Sequence, residues 1–133
     1  MARRLMTVPG IGPLIATAMA VRAPAPETFR RGRDVAAWPG LAPRQHSTGG
    51  KQRLGATTKM GERSLRRLLI IGANSVIIRR HVHAAARPGT WLAGMLSRKP
   101  PLLVGVALAN KMARIIWALM RNGEVCRAPA AAA

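Results

Sequence analysis

The chain has 133 residues, room for one compact core and too few for a two-domain enzyme. Its 22 Lys and Arg stand against 4 Asp and Glu, a net charge of +18 at pH 7, yet hydrophobic residues still make up 49%. The imbalance calls for a polyanionic partner, with nucleic acid the expected one, and the apolar share argues against a disordered tail. Glu27, Asp34, Glu62 and Glu124 are scattered, and Cys126 with His46, His81 and His83 has no zinc-ligand spacing, so nothing supports a metal site or an internal disulfide.

In chain order, a helical segment punctuated by Gly and Pro is expected over Leu5 to Arg22, followed by a break at Ala23-Pro24-Ala25-Pro26. A short helix is expected around Arg31 to Trp38, stopped by Pro39-Gly40. Leu41 to Thr58 carries Ser, Thr, Gly and Gln without helical period and reads as a loop or short hairpin. From Gly61 to about Ala86, Leu65, Leu68, Leu69, Gly72 and Val76 line one helix face, and Arg63, Arg66 and Arg67 share another. Ile70, Ile71, Ile77 and Ile78 make its middle apolar nearly all round, so this helix is expected to be buried on several sides. Pro88-Gly89 ends it, a short helix runs from Thr90 to Arg98, and Pro100-Pro101 precedes a last helix, Leu102 to Arg121. That helix presents an inward stripe of Leu108, Met112, Ile115 and Leu119, a basic stripe of Lys111, Arg114 and Arg121, and a stop at Asn122-Gly123. Trp38, Trp91 and Trp117 could stack on bases, but isolated tryptophans at apolar helical positions are usually core, and the core is the expectation for all three. The apolar runs 68–78 and 102–109 fall short of the roughly 20 residues that cross a bilayer, so no membrane partner is expected. The fold class is all-α, a small helical domain over residues 1–126 with a disordered Ala-rich tail over 127–133.

Two segments carry chemistry. Leu5 to Ala20 follows the helix-hairpin-helix pattern: apolar Leu5 and Val8, then Gly10-Ile11-Gly12, then Ala16 and Met19-Ala20. Two glycines let such a turn bring backbone N–H groups close to a phosphate, at the N-terminus of the second helix, while Ile11 plugs the hairpin into the core. Contacts of this kind grip backbone rather than bases, so binding is expected to be sequence-independent. The second segment is Pro43-Arg44-Gln45-His46-Ser47-Thr48-Gly49-Gly50-Lys51-Gln52-Arg53, small hydroxyl residues beside two glycines and rimmed by Arg44, Lys51 and Arg53. Gln45 and Gln52 break the Walker pattern, and Gln45 also breaks the hydrolase nucleophile elbow. Ser47 is a candidate nucleophile, but spacing alone fits a phosphate-holding loop without chemistry better, because neighbours in an extended segment point to opposite sides and make His46 a poor base for Ser47.

Taken in order, these motifs, with Thr28 to Gly55, Leu65-Arg66-Arg67-Leu68-Leu69 and Ala107 to Leu119, resemble the C-terminal transposase domain of bacterial insertion-sequence transposases of the one-hundred-ten family, the DEDD transposases with a RuvC-like N-terminal domain. The resemblance covers roughly residues 3 to 121. It implies a DNA-gripping helical module whose loop serine, matching Ser47, attacks a DNA phosphate to form a phosphoserine link. It implies nucleic-acid contacts at Gly10, Ile11, Gly12, Arg44, Thr48, Gly49, Gly50, Lys51, Arg53, Arg66, Arg67, Lys111 and Arg114. No cofactor is expected in this chain; Mg²⁺ belongs with the acidic N-terminal domain of the family. DNA is the implied partner, with an element-encoded guide RNA and a homo-oligomeric synaptic complex in family members, in the bacterial cytoplasm at the nucleoid. Pro39, Thr57 to Glu62 and Ala23 to Pro26 depart from the family pattern, and the acidic domain has no counterpart here. The expectation is a truncated copy that binds DNA without recombining it, the alternative being a non-catalytic helix-hairpin-helix module.

Overall fold

The two longest apolar stripes dictate the architecture, because each must be covered by another element. In this computed structural model, residues 1–41, 62–79 and 88–126 are described in full, and 43–45 and 54–57 by their backbone. The helices are α1 (Ala2–Leu5), α2 (Pro13–Arg22), α3 (Gly32–Ala37), α4 (Arg63–Ile78), α5 (Trp91–Arg98) and α6 (Pro101–Asn122), with a 3-10 turn at Pro26–Thr28 between α2 and α3. The fold is all-α, interrupted between α3 and α4 by a two-stranded antiparallel ribbon of β1 (Pro43–Gln45) and β2 (Leu54–Thr57).

Helices α4 and α6 pack on each other at the centre; α2 covers α4, and α3 and α5 cover α6. One continuous core results. It joins Leu5, Val8 and Ile11 to Ile15 and Met19 of α2, Leu65, Leu69 and Val76 of α4, and Val104, Met112 and Ile116 of α6. Helix starts and stops follow local chemistry. Pro13 and Pro101 sit at first helical positions, where a missing N–H costs nothing. The Thr90 hydroxyl accepts from the Ala93 N–H at 3.2 Å and caps α5. Gly123, at φ +70°, closes α6 as the Asn-Gly pair predicted.

Three expectations need correction. Helical structure before the hairpin turn is the four-residue α1, which starts ahead of Leu5 and ends there. Helix α4 is not covered all round: Ile71 is 54% and Ile78 72% exposed, while Leu65, Leu69, Gly72 and Val76 are buried as the periodicity required. In α6 the fully buried residue is Ile116, with Ile115 only half-buried, so the inward stripe runs one residue out of the predicted phase at that turn. Helix α6 also has the length and composition to cross a membrane, because its apolar character continues past Lys111; its buried face packs on α4 and α3. The predicted continuation of α4 over 80–86 and the tail over 127–133 lie outside the described residues.

Candidate nucleic-acid interface

The hairpin turn between α1 and α2 separates its two glycines by role. Gly10 adopts φ +88°, and a Cβ there would stand 2.7 Å from the Gly72 carbonyl oxygen and 2.9 Å from Val76 Cγ2. A Cβ on Gly72 would in turn collide with the Gly10 carbonyl. The turn is therefore seated backbone to backbone on α4, and Gly10 is required by packing as well as by its dihedral. Ile11 is buried beneath it as expected. Gly12 is different: it is the N-cap of α2, with extended backbone, no side-chain cap, and open space within 4 Å of where a Cβ would be. The unshielded N-terminal end of α2 thus has its first-turn N–H groups beside a residue that leaves room for an approaching group.

The ribbon is held at both feet. At its start, Asn110 Nδ2 of α6 donates to the Leu41 carbonyl at 3.2 Å. At its end, the Glu62 N–H donates to the Trp38 carbonyl at 3.4 Å, and Arg22 Nη1 donates to Glu62 Oε1 at 3.1 Å. Pro43 pairs with Thr57 and Gln45 with Leu54, with a one-residue register shift between them. Ser47, Thr48, Gly49, Gly50, Lys51 and Arg53, together with His46, belong to segment 46–53 and lie outside the described residues; Arg44 is described by its backbone in β1.

The remaining predicted cations divide by environment. Arg67 of α4 and Arg114 of α6 are exposed, whereas Arg66 is half-buried and its Nη1 is shielded from solvent without a hydrogen-bond partner. Such a nitrogen is poorly placed to reach a phosphate and costly to leave unpaired. Lys111 is half-buried, its Nζ 4.2 Å from the Trp91 ring centroid. Burial, and then the neighbouring Arg114 charge, hold the Lys111 ammonium below the usual lysine range. Gly32 of α3 sits against Arg114 and Trp117, and its chain neighbours Arg31 and Arg33 are exposed. Sequence reasoning missed that neighbourhood, since nothing in the spacing links positions 32 and 114. Among the described residues, the Arg22–Glu62 contact is the one ion pair, and no group of three His, Cys, Asp or Glu is placed to hold a metal ion. Two of the four acids have separate partners, Glu62 with Arg22 and Asp34 accepting from the Arg31 N–H at 3.1 Å, and the four are not grouped. They do not fit a carboxylate-bound Mg²⁺ site.

The tryptophans are likewise unequal. Trp38 is half-buried against Phe29, with ring centroids 6.5 Å apart, and Trp117 is half-buried, with its Nε1 donating to the Pro26 carbonyl at 3.0 Å and Arg121 over its ring at 5.2 Å. Trp91 remains 40% exposed, against the expectation of a core residue.

The profile of the transposase IS116/IS110/IS902 family matches residues 2–87. Similar relatives include the "Probable family 20 transposase" of Pseudomonas aeruginosa, 51% identical over 127 residues that cover 96% of this chain and 37% of the relative. The "Transposase for insertion sequence element IS1328" of Yersinia enterocolitica is 41% identical, covering 93% of this chain and 37% of the relative. The "Transposase for insertion sequence element IS1111A" of Coxiella burnetii is 39% identical, covering 94% and 34% respectively. The chain spans about a third of the length of these curated relatives. With a profile match over most of its length and the hairpin turn, ribbon and α4 falling inside that match, the chain belongs to the transposase IS116/IS110/IS902 family.

Proposed function

We propose that this chain is the DNA-binding portion of an insertion-sequence transposase, with Ser47 supplying the nucleophile for strand cleavage and exchange. One observation carries the binding part: among the described side chains a single cation is in an ion pair, and Arg31, Arg33, Arg67 and Arg114 are exposed to meet a polyanion. The hairpin turn adds a backbone phosphate contact at Gly12 and the start of α2, with Gly10 and Ile11 holding the turn in place on α4. Contacts of this type position a duplex without reading its bases.

The role of Ser47 rests on the family resemblance. Its Oγ would give up a proton as it bonds to phosphorus, and the displaced strand oxygen would take one as it leaves, so that one phosphate ester replaces another. Arg44, Lys51, Arg53 and the glycines of the same segment would neutralise and admit the phosphate. The family implies Mg²⁺ for this chemistry. The described acids of this chain do not assemble a site for it, and the protein alone is expected to bind DNA without cutting it. A homo-oligomeric synaptic complex, a guide RNA and a place at the bacterial nucleoid complete the reading; a cationic surface that grips phosphates admits RNA as readily as DNA.

Fluorescence anisotropy with a labelled duplex tests the binding part. Affinity is expected to fall at least about tenfold between 50 and 200 mM salt and to be indifferent to duplex sequence; salt-independent binding would overturn it. Ser47→Ala is expected to bind DNA normally and to abolish the covalent DNA adduct on this chain when the separate acidic N-terminal domain of a relative, without its own C-terminal domain, is supplied with Mg²⁺. An adduct that survives the substitution overturns Ser47 as the nucleophile, and no adduct in the parent chain leaves the non-catalytic module as the function.

A further inference from the structure

The nucleic-acid surface proposed so far consists of cations and backbone N–H groups, and such groups do not distinguish paired from unpaired strands. One feature outside it does. Trp91, the first residue of α5, is 40% exposed. Trp38 and Trp117 are half-buried and engaged, by Phe29 and by the Pro26 carbonyl respectively. Among the described residues no hydrogen bond holds the Trp91 ring, and a cation lies over it, Lys111 Nζ at 4.2 Å from the centroid. Arg114 lies one turn further along α6 and is exposed.

We propose that Trp91, backed by Lys111 and flanked by Arg114, is a stacking platform for an unpaired base of a single nucleic-acid strand. This rests on the nucleic-acid partner proposed above. An aromatic ring open to solvent beside two cations offers a base its π-face and the adjoining phosphate its counter-charges. Every base has such a face, so the contact is tolerant of sequence. In a duplex those faces are already stacked, so the contact favours an unpaired strand, the form in which bases become available when strands are cut and exchanged.

The experiment compares binding of oligo(dT) and of a duplex of equal length by the full chain and its Trp91→Leu and Trp91→Phe variants at one salt concentration. Leu keeps the apolar contact between α5 and α6 and removes the ring; Phe keeps a ring. Trp91→Leu is expected to lower oligo(dT) affinity about five- to a hundredfold, with duplex affinity unchanged and Trp91→Phe within a few-fold of the parent. Unchanged oligo(dT) binding by Trp91→Leu overturns the platform alone. Equal losses on both nucleic acids in both variants also overturn it, since they make Trp91 a packing residue that joins α5 to α6. Failure of the parent chain to bind either nucleic acid overturns the DNA-binding reading, and the platform with it.

Discussion

At the scale of single residues, four glycines of the chain meet four different demands. Gly10 combines a left-handed backbone with a carbonyl 2.7 Å from any added Cβ, so Gly10→Ala is expected to destabilise the protein by about 3 kcal/mol. Gly72 is a helix-interior position where propensity alone would favour Ala by about 1 kcal/mol. There the obstruction is the Gly10 backbone, which cannot swing aside, and the net change is expected to be a loss of about 1 to 2 kcal/mol. The atom facing Gly105 is Asn74 Oδ1, the end of a side chain that can rotate, so the same substitution is milder there. Gly12 has open surroundings and ordinary backbone, so Gly12→Ala meets no clash and should cost only the N-cap preference for Gly over Ala, up to about 1 kcal/mol. Urea unfolding of the four variants checks the ranking. If Gly12→Ala nevertheless weakens duplex binding, its place is explained by the ligand rather than by the fold; equal affinity would remove Gly12 from the interface.

At the scale of elements, helix α6 shows both what periodicity can tell and where it stops. Ile116 is fully buried and Ile115 half-buried. Ile116→Ala is therefore expected to cost about 2 to 5 kcal/mol, and Ile115→Ala about 1, a contrast that thermal or urea denaturation measures directly. The stripe predicted from spacing chose Ile115 because two adjacent isoleucines satisfy a three-and-four rule equally well, and only the direction of the covering helices decides between them. Punctuation was more legible: Thr90, Pro101 and Asn122-Gly123 mark their helix ends through local backbone chemistry that needs no distant partner. The ribbon between α3 and α4 was legible only as a loop or short hairpin. The site was harder to read. Gly10 looks like a ligand-facing glycine until Gly72 is placed against it, and Trp91 looks like core until Lys111 is placed over it. Neither pairing leaves a trace in local spacing. Ser47 and its neighbours are outside the described residues, and their role remains what the family resemblance implies.

At the scale of the whole molecule, the charge of +18 over 133 residues sets the conditions under which the fold is comfortable. With one exposed ion pair among the described side chains, mutual repulsion among the cations is unrelieved in dilute buffer, and that pair contributes little by itself. Moving from about 10 mM to about 200 mM salt shortens the Debye length from roughly 30 Å to under 10 Å. Calorimetry should register this as a rise in Tm of several degrees without any ligand. A flat or falling Tm would mean that the cations are already compensated.

The fold also closes on itself at one corner. The Thr7 hydroxyl donates to the Arg4 carbonyl at 2.6 Å and accepts from the Cys126 N–H at 2.8 Å, so the stretch beyond α6 is pinned to the end of α1. A four-residue helix has no staying power of its own. Its persistence is lent by Leu5 in the core and by packing on α2 and α6, and the Cys126 contact adds a tie from a segment more than a hundred positions away. Anything that pulls residues 124–126 from their berth loosens Leu5 and the footing of the glycine turn, giving the far end of the chain a mechanical grip on the near one.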